Sequence, residues 1–194
     1  VLSKYLKVKQ RVTDMSSQPS PSSELLNYIR MARRGVLIML YIIPVNILLL
    51  LIFITLVALT ENPLLSLLYY LLDAIIVLFM VIYGAHLQQR GIRGIGWSYN
   101  NSTLIKDTGS LFWYWVIYAV IPLFGLIFLG FKMADIAEDL YNMFNIKEFN
   151  TAISRWEWSA YLAIVFGIGY IIAVFAMYNT YKGLDKALKS VTLQ

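Results

Sequence analysis

The chain has 194 residues, of which 59% are hydrophobic and only 14% charged, with a formal net charge of +5. An average soluble domain is about 25% charged, so this much apolar side chain calls for lipid as its solvent. The basic excess then reads as a topology signal beside membrane spans, and no nucleic-acid partner is expected. With no cysteine and a single histidine, His86, disulfides, thiolate metal sites and His-cluster centres are excluded within the chain, and no cofactor is expected.

Residues 1–34 form a basic, polar tail holding Lys4, Lys7, Lys9, Arg11, Arg30, Arg33 and Arg34. The Ser/Pro-rich segment 16–23 is an irregular joint. The first 23 residues lack the apolar core of a cleavable signal, so the first span is expected to act as its own insertion signal. Ser22 or Ser23 is suited to cap a helix, with Glu24 in its first turn. Leu25, Leu26, Ile29 and Ala32 then share one face. This predicts a short amphipathic helix that either lies on anionic lipid heads or simply leads into the first span.

Two long apolar runs follow, 36–60 and 63–86, separated by Glu61 and Asn62. A helix of about 20 apolar residues crosses a bilayer's hydrocarbon core. Each run is long enough, and so short a polar break can only send the chain straight back. A transmembrane helical hairpin is predicted. Pro44 lacks the backbone donor a helix needs and predicts a kink in span 1. Pro63 suits the first turn of span 2. The Gly- and Asn-rich stretch 87–110, with its GIRGIG run, reads as a loop. No strand precedes that run and its spacing fits no phosphate-binding pattern.

Span 3 is predicted over 111–131, opening on the aromatic cluster Phe112 to Trp115 and kinked at Pro122. In the acidic segment 132–157, Met133, Ile136, Leu140 and Phe144 recur at helical spacing, opposite Asp135, Glu138 and Asp139. That pattern predicts an extramembrane amphipathic helix, either continuing span 3 or lying along the surface. Span 4 is predicted over 158–177. Its pairs Ala163/Gly167 and Gly169/Ala173 are small-xxx-small steps suited to close helix packing. Residues 179–194 form a second basic tail with Lys182, Lys186 and Lys189.

The expected architecture is therefore all-α: a polytopic integral membrane protein with a four-helix transmembrane domain over 35–178 and two flanking tails. With four spans, all Lys and Arg except Lys132, Lys147 and Arg155 fall on one side. The positive-inside rule then places both termini in the cytoplasm of a multi-pass cell-membrane protein. The overlapping glycosylation sequons at Asn100 and Asn101 would go unused there.

Asp73 is the only acid inside a predicted span, and a charge at the bilayer centre costs about 3 kcal/mol or more. It needs a partner, water or a proton of its own. Asn46 lies about one helical turn away in depth. Both are candidate intramembrane polar residues, for packing or for a proton or cation relay. The acidic residues Asp135, Glu138 and Asp139 point outward at helical spacing, unlike an ion-wrapping loop, and no metal site is expected. No nucleophile–base set, HExxH motif or phosphate loop is present, so the chain is not expected to be an enzyme. The leading expectation is a non-catalytic membrane subunit or scaffold that packs against other membrane proteins in the bilayer. The alternative is a small ion, proton or solute transporter or channel component using Asp73.

Overall fold

The computed structural model describes residues 23–60, 64–163, 165 and 168–193, and every regular element among them is helical. In chain order these are α1 (Ser23–Thr60), α2 (Leu64–Ser98), α3 (Ser102–Thr108), α4 (Leu111–Val120), α5 (Pro122–Phe144), α6 (Lys147–Tyr161) and α7 (Ile168–Thr192). Of the four expected spans, two are helices long and apolar enough to cross a bilayer, and these are α1 and α2. The expected turn residues Glu61 and Asn62, Pro63 in the expected first turn of span 2, and Gly167 lie outside the described residues.

α1 and α2 pack antiparallel in a regular register. Gly91 and Gly94 sit against Tyr28, Gly91 also against Ala32, and Gly35 against Gly84 and Gln88. Nearer the tip, Phe53 stacks on Tyr69 with ring centroids 4.4 Å apart. On α1 the seam residues Tyr28, Ala32, Gly35 and Met39 alternate steps of four and three, the spacing of left-handed coiled-coil packing. The helix runs through Pro44 without interruption.

The expected loop at 87–110 is mostly helix. α2 continues to Ser98, with Ile92 and Ile95 fully buried. Gly91 and Gly94 in the GIRGIG run are packing positions where α1 comes too close for a side chain. A helical glycine costs about 1 kcal/mol relative to alanine, and here close backbone contact offsets it. Asn101 then caps α3, its side-chain oxygen accepting from the Leu104 N–H at 3.0 Å. The apolar face of Leu25, Ile29 and Ala32 is buried in protein. That face belongs to α1 itself, whose Arg33 pairs with Asp185 of α7 at 3.2 Å.

The segments expected as spans 3 and 4 each double back. At Ile121 the backbone leaves the helical region (φ −128°, ψ 77°), and Pro122 opens α5 at its first turn. A proline there lacks only a donor that would have been unpaired anyway. A Cβ on Gly125 would overlap the Tyr118 backbone and lie 2.8 Å from the Ile117 carbonyl carbon. Residues seven apart in an unbroken helix are separated by about 10 Å, so α4 and α5 form a tight hairpin rather than one kinked helix. Lys132 of α5 accordingly reaches Asp107 of α3 at 2.9 Å.

The second reversal falls between Tyr161 and Ile168. A Cβ on Gly169 would lie 2.6 Å from the Ser159 carbonyl oxygen and 2.7 Å from the Ala163 Cα. Down this hairpin, Trp156 donates to Thr180 Oγ1 at 3.2 Å and Lys186 pairs with Glu148 at 2.6 Å. The expected amphipathic helix is the lower part of α5, with Met133, Ile136 and Leu140 buried and Asp135 and Glu138 exposed. Asn145 in the left-handed conformation ends it, its N–H bonding to the Tyr141 carbonyl at 2.7 Å.

The described helices thus run up and down in turn, with α3 and α4 climbing in the same direction along α2 before the reversal at Ile121, and the two ends of the bundle differ. The end containing the start of α1 and the finish of α7 has a packed core and the described charged residues other than Asp73. From the other end the α1–α2 hairpin projects well past the tips of α4–α5 and α6–α7. Only 6% of the most apolar window of α1, and 11% of that of α2, is buried, whereas a core helix of a soluble bundle would bury most of such a window.

Candidate functional site

Polar groups in the projecting hairpin are few, which makes their placement informative. The register set by Gly35 against Gly84 and by Phe53 against Tyr69 puts Asn46 and Asp73 at similar depth on the α1–α2 seam. Both are half-buried between exposed apolar faces. Asn46 Oδ1 and Asp73 Oδ1 are each shielded from solvent, and neither has a hydrogen-bond partner among the described residues. Leaving such an acceptor unpaired costs about 1–3 kcal/mol. Tyr69 lies one turn from Asp73, with its ring against Phe53 on one side and Tyr70, 5.4 Å away, on the other.

A second polar cluster sits at the base of the hairpin, where it joins the bundle. Gln88 is 1% exposed. Its Oε1 accepts from the Trp115 indole N–H at 2.8 Å, and its Nε2 lies 3.5 Å from the Met133 sulfur. One side chain of α2 therefore ties α4 and α5 to the hairpin. The sequence reading passed over Gln88 because it fell in the presumed loop. Its position four residues after Gly84 and three before Gly91 is the signal that marks it as a seam residue.

Ala163 and Gly169 meet each other across the α6–α7 turn, and Ala173 is buried on α7. Ala163 lies in the turn that follows α6, and its expected partner Gly167 lies outside the described residues. Of the two expected kink sites, Pro122 marks the reversal into α5 and Pro44 sits exposed inside α1. His86 is exposed on α2. At the charged end, burial pushes the Asp139 carboxyl above its usual range, and nearby Asp107, Glu138 and Asp135 reinforce the shift against a hydrogen bond from Asn101. No group of three or more His, Asp or Glu among the described residues is arranged to hold a metal ion.

This constellation can hold helices together and orient them. No family model, curated protein or solved structure matches the chain.

Proposed function

We propose that the protein is a non-catalytic integral membrane scaffold or subunit. Its α1–α2 hairpin crosses the bilayer, and its charged helical body offers docking surfaces to partner membrane proteins on one face. The projecting hairpin carries this reading: it is long, apolar and exposed, and it is joined to a polar body through a buried glutamine. From Val36 to Thr60, α1 rises about 37 Å at about 1.5 Å per residue, enough for a hydrocarbon core of about 30 Å.

In this reading α4–α5 and α6–α7 enter the membrane only partway and return. The ion pairs Lys132–Asp107 and Glu148–Lys186 support that arrangement, since they would otherwise have to join opposite sides of a bilayer. All 16 Lys and Arg residues lie outside 36–87, which favours a cytoplasmic location for the charged body and both termini.

Thiol labelling tests this cleanly, because the chain has no native cysteine. Asn150→Cys and Lys189→Cys should react with an impermeant reagent from the same side of sealed vesicles, and Val120→Cys should be shielded from both. Labelling of Asn150→Cys from the side opposite Lys189→Cys would restore four crossings and overturn the partway hairpins.

The buried, unpaired oxygen of Asp73 favours one second reading, a component that moves protons or cations. Asp73→Asn keeps the shape and most hydrogen bonding but cannot ionise. In the scaffold reading Asp73→Asn assembles with partners like the parent, Asp73→Leu assembles more weakly, and neither variant differs from the parent in ion flux. Flux present in the parent and abolished in a normally assembled Asp73→Asn sample would promote the transporter.

A further inference from the structure

We infer that the molecule is a wedge for one leaflet of a lipid bilayer, and that it favours membranes convex on the side of its charged body. The inference rests on the membrane placement proposed above and concerns what that placement does to the lipid.

Residues 108–131 and 158–181 carry no Asp, Glu, Lys or Arg, yet each stretch reverses direction, the first at Ile121 and the second between Tyr161 and Ile168. The arms α4 (Leu111–Val120) and the first ten residues of α5 each rise about 15 Å, half of a hydrocarbon core of about 30 Å. The tips expose apolar side chains, among them Val120, Ile121 and Phe124 on one hairpin and Val165 and Ile168 on the other. Backbone polar groups within the hydrocarbon core must be satisfied inside the protein, and several at these turns are closed locally. Ile121 N–H bonds to the Ile117 carbonyl at 2.7 Å and Gly125 N–H to that of Ile121 at 2.8 Å. Val165 N–H and Gly169 N–H both bond to the Leu162 carbonyl, at 3.0 and 3.2 Å. Pro122 has no donor to satisfy.

Cation–aromatic pairs mark where the α6–α7 hairpin leaves the apolar layer. The Arg155 guanidinium lies 5.6 Å from the Phe175 ring centre beside Trp158, and the Lys182 ammonium 4.6 Å from that of Tyr178. Aromatic rings and long basic side chains are the usual occupants of a membrane–water boundary.

The consequence is unequal occupancy of the two leaflets. The leaflet next to the charged body takes α1, α2 and both short hairpins, while the far leaflet takes α1 and α2 alone. Four additional helical sections of about 11 Å diameter add about 400 Å² of cross-section to one leaflet. Insertion confined to one leaflet is sensitive to curvature. A leaflet that is already stretched on its convex face accepts the extra area at lower cost.

The test uses the full chain carrying Asn150→Cys, inserted from outside into preformed small sonicated and large extruded phosphatidylcholine vesicles. An impermeant fluorescent maleimide both confirms that the charged body faces outward and counts protein per lipid. The expected result is a several-fold higher protein density on the small vesicles. Equal density on both, with outward labelling intact and Lys189→Cys labelled from the same side, would overturn the wedge while leaving the membrane placement standing. Labelling of the two cysteines from opposite sides would overturn both.

Discussion

Gly91→Leu should abolish stable pairing of the hairpin base and lower unfolding stability in detergent by about 3 kcal/mol, the upper end of what overpacking costs. A Cβ at this position would overlap the Ala32 backbone nitrogen and lie 2.7 Å from the Tyr28 carbonyl oxygen. Both obstacles are backbone, so no side chain can rotate aside, and α1 itself would have to move. That movement would propagate, because Gly35 makes the same kind of approach to Gln88, the residue that ties α4 and α5 to α2. Gly91→Ala should already be harmful. Gly96→Ala provides the contrast: its Cβ would meet the movable Ile105 Cγ1 at 3.0 Å and the Ile105 backbone nitrogen at 3.3 Å, contacts that a shift of a few tenths of an ångström relieves. There the gain in helix propensity, about 1 kcal/mol, should leave stability unchanged or slightly raised. Unfolding by SDS titration in mixed micelles, followed by circular dichroism, separates the two sites. Parent-like midpoints for Gly91→Leu would show that α1 and α2 do not approach this closely.

Gly125→Leu should open the α4–α5 hairpin, with a loss of similar size, about 2–3 kcal/mol. The position faces the backbone of Tyr118 across a reversal that has only Ile121 between its two helices. Tyr118 is itself fixed by edge-on contact with Trp115, 5.7 Å between ring centres, and by contact with Tyr170 at 6.1 Å. Splaying the hairpin would therefore disturb both the Trp115–Gln88 hydrogen bond and the neighbouring α7. The readout is local as well as global. Val120→Cys, which the proposed membrane placement keeps from an impermeant reagent, should become reactive when combined with Gly125→Leu, while the melting temperature falls. Unchanged melting and unchanged labelling would mean that residues 111–131 form an extended helix in the membrane.

Loss of Asn46 Oδ1 or Asp73 Oδ1 from the seam should have smaller effects than either glycine change, because those atoms have no partner among the described residues to be deprived of. Their interest lies in what they imply. A half-buried acceptor without a donor among the described residues of its own hairpin is available to a proton, to water, or to a donor on a neighbouring chain. This is why the Asp73→Asn comparison distinguishes scaffold from transporter better than any truncation would.

Much of this architecture was legible in the linear chain. Hydrophobic run length alone identified two crossing-length helices around the break at Glu61 and Asn62, since about 1.5 Å of rise per residue converts composition directly into distance. The 3.6-residue period placed Met133, Ile136 and Leu140 on a buried face with Asp135 and Glu138 outside, and Leu25, Ile29 and Ala32 on another. The isolation of Asp73 among apolar residues needed no coordinates either.

Tertiary structure alone decided how the remaining apolar segments are used. Residues 111–131 and 158–177 have the length and hydropathy of spans, and hydropathy does not record direction. A proline kinks a helix when the flanking chain has nothing to pack on, and reverses the chain when Gly125 lets the return arm reach Tyr118. Glycine has the same ambiguity. In GIRGIG it looks like loop chemistry, because glycine weakens an isolated helix, yet in α2 it supplies the space that lets Tyr28 and Ala32 come close. Which outcome prevails depends on a partner helix more than fifty residues away in the chain, and local sequence carries no record of that partner. The side of the membrane on which the acidic segment is proposed to lie follows from the same long-range fact, expressed in the pairing of Lys132 with Asp107 and of Glu148 with Lys186.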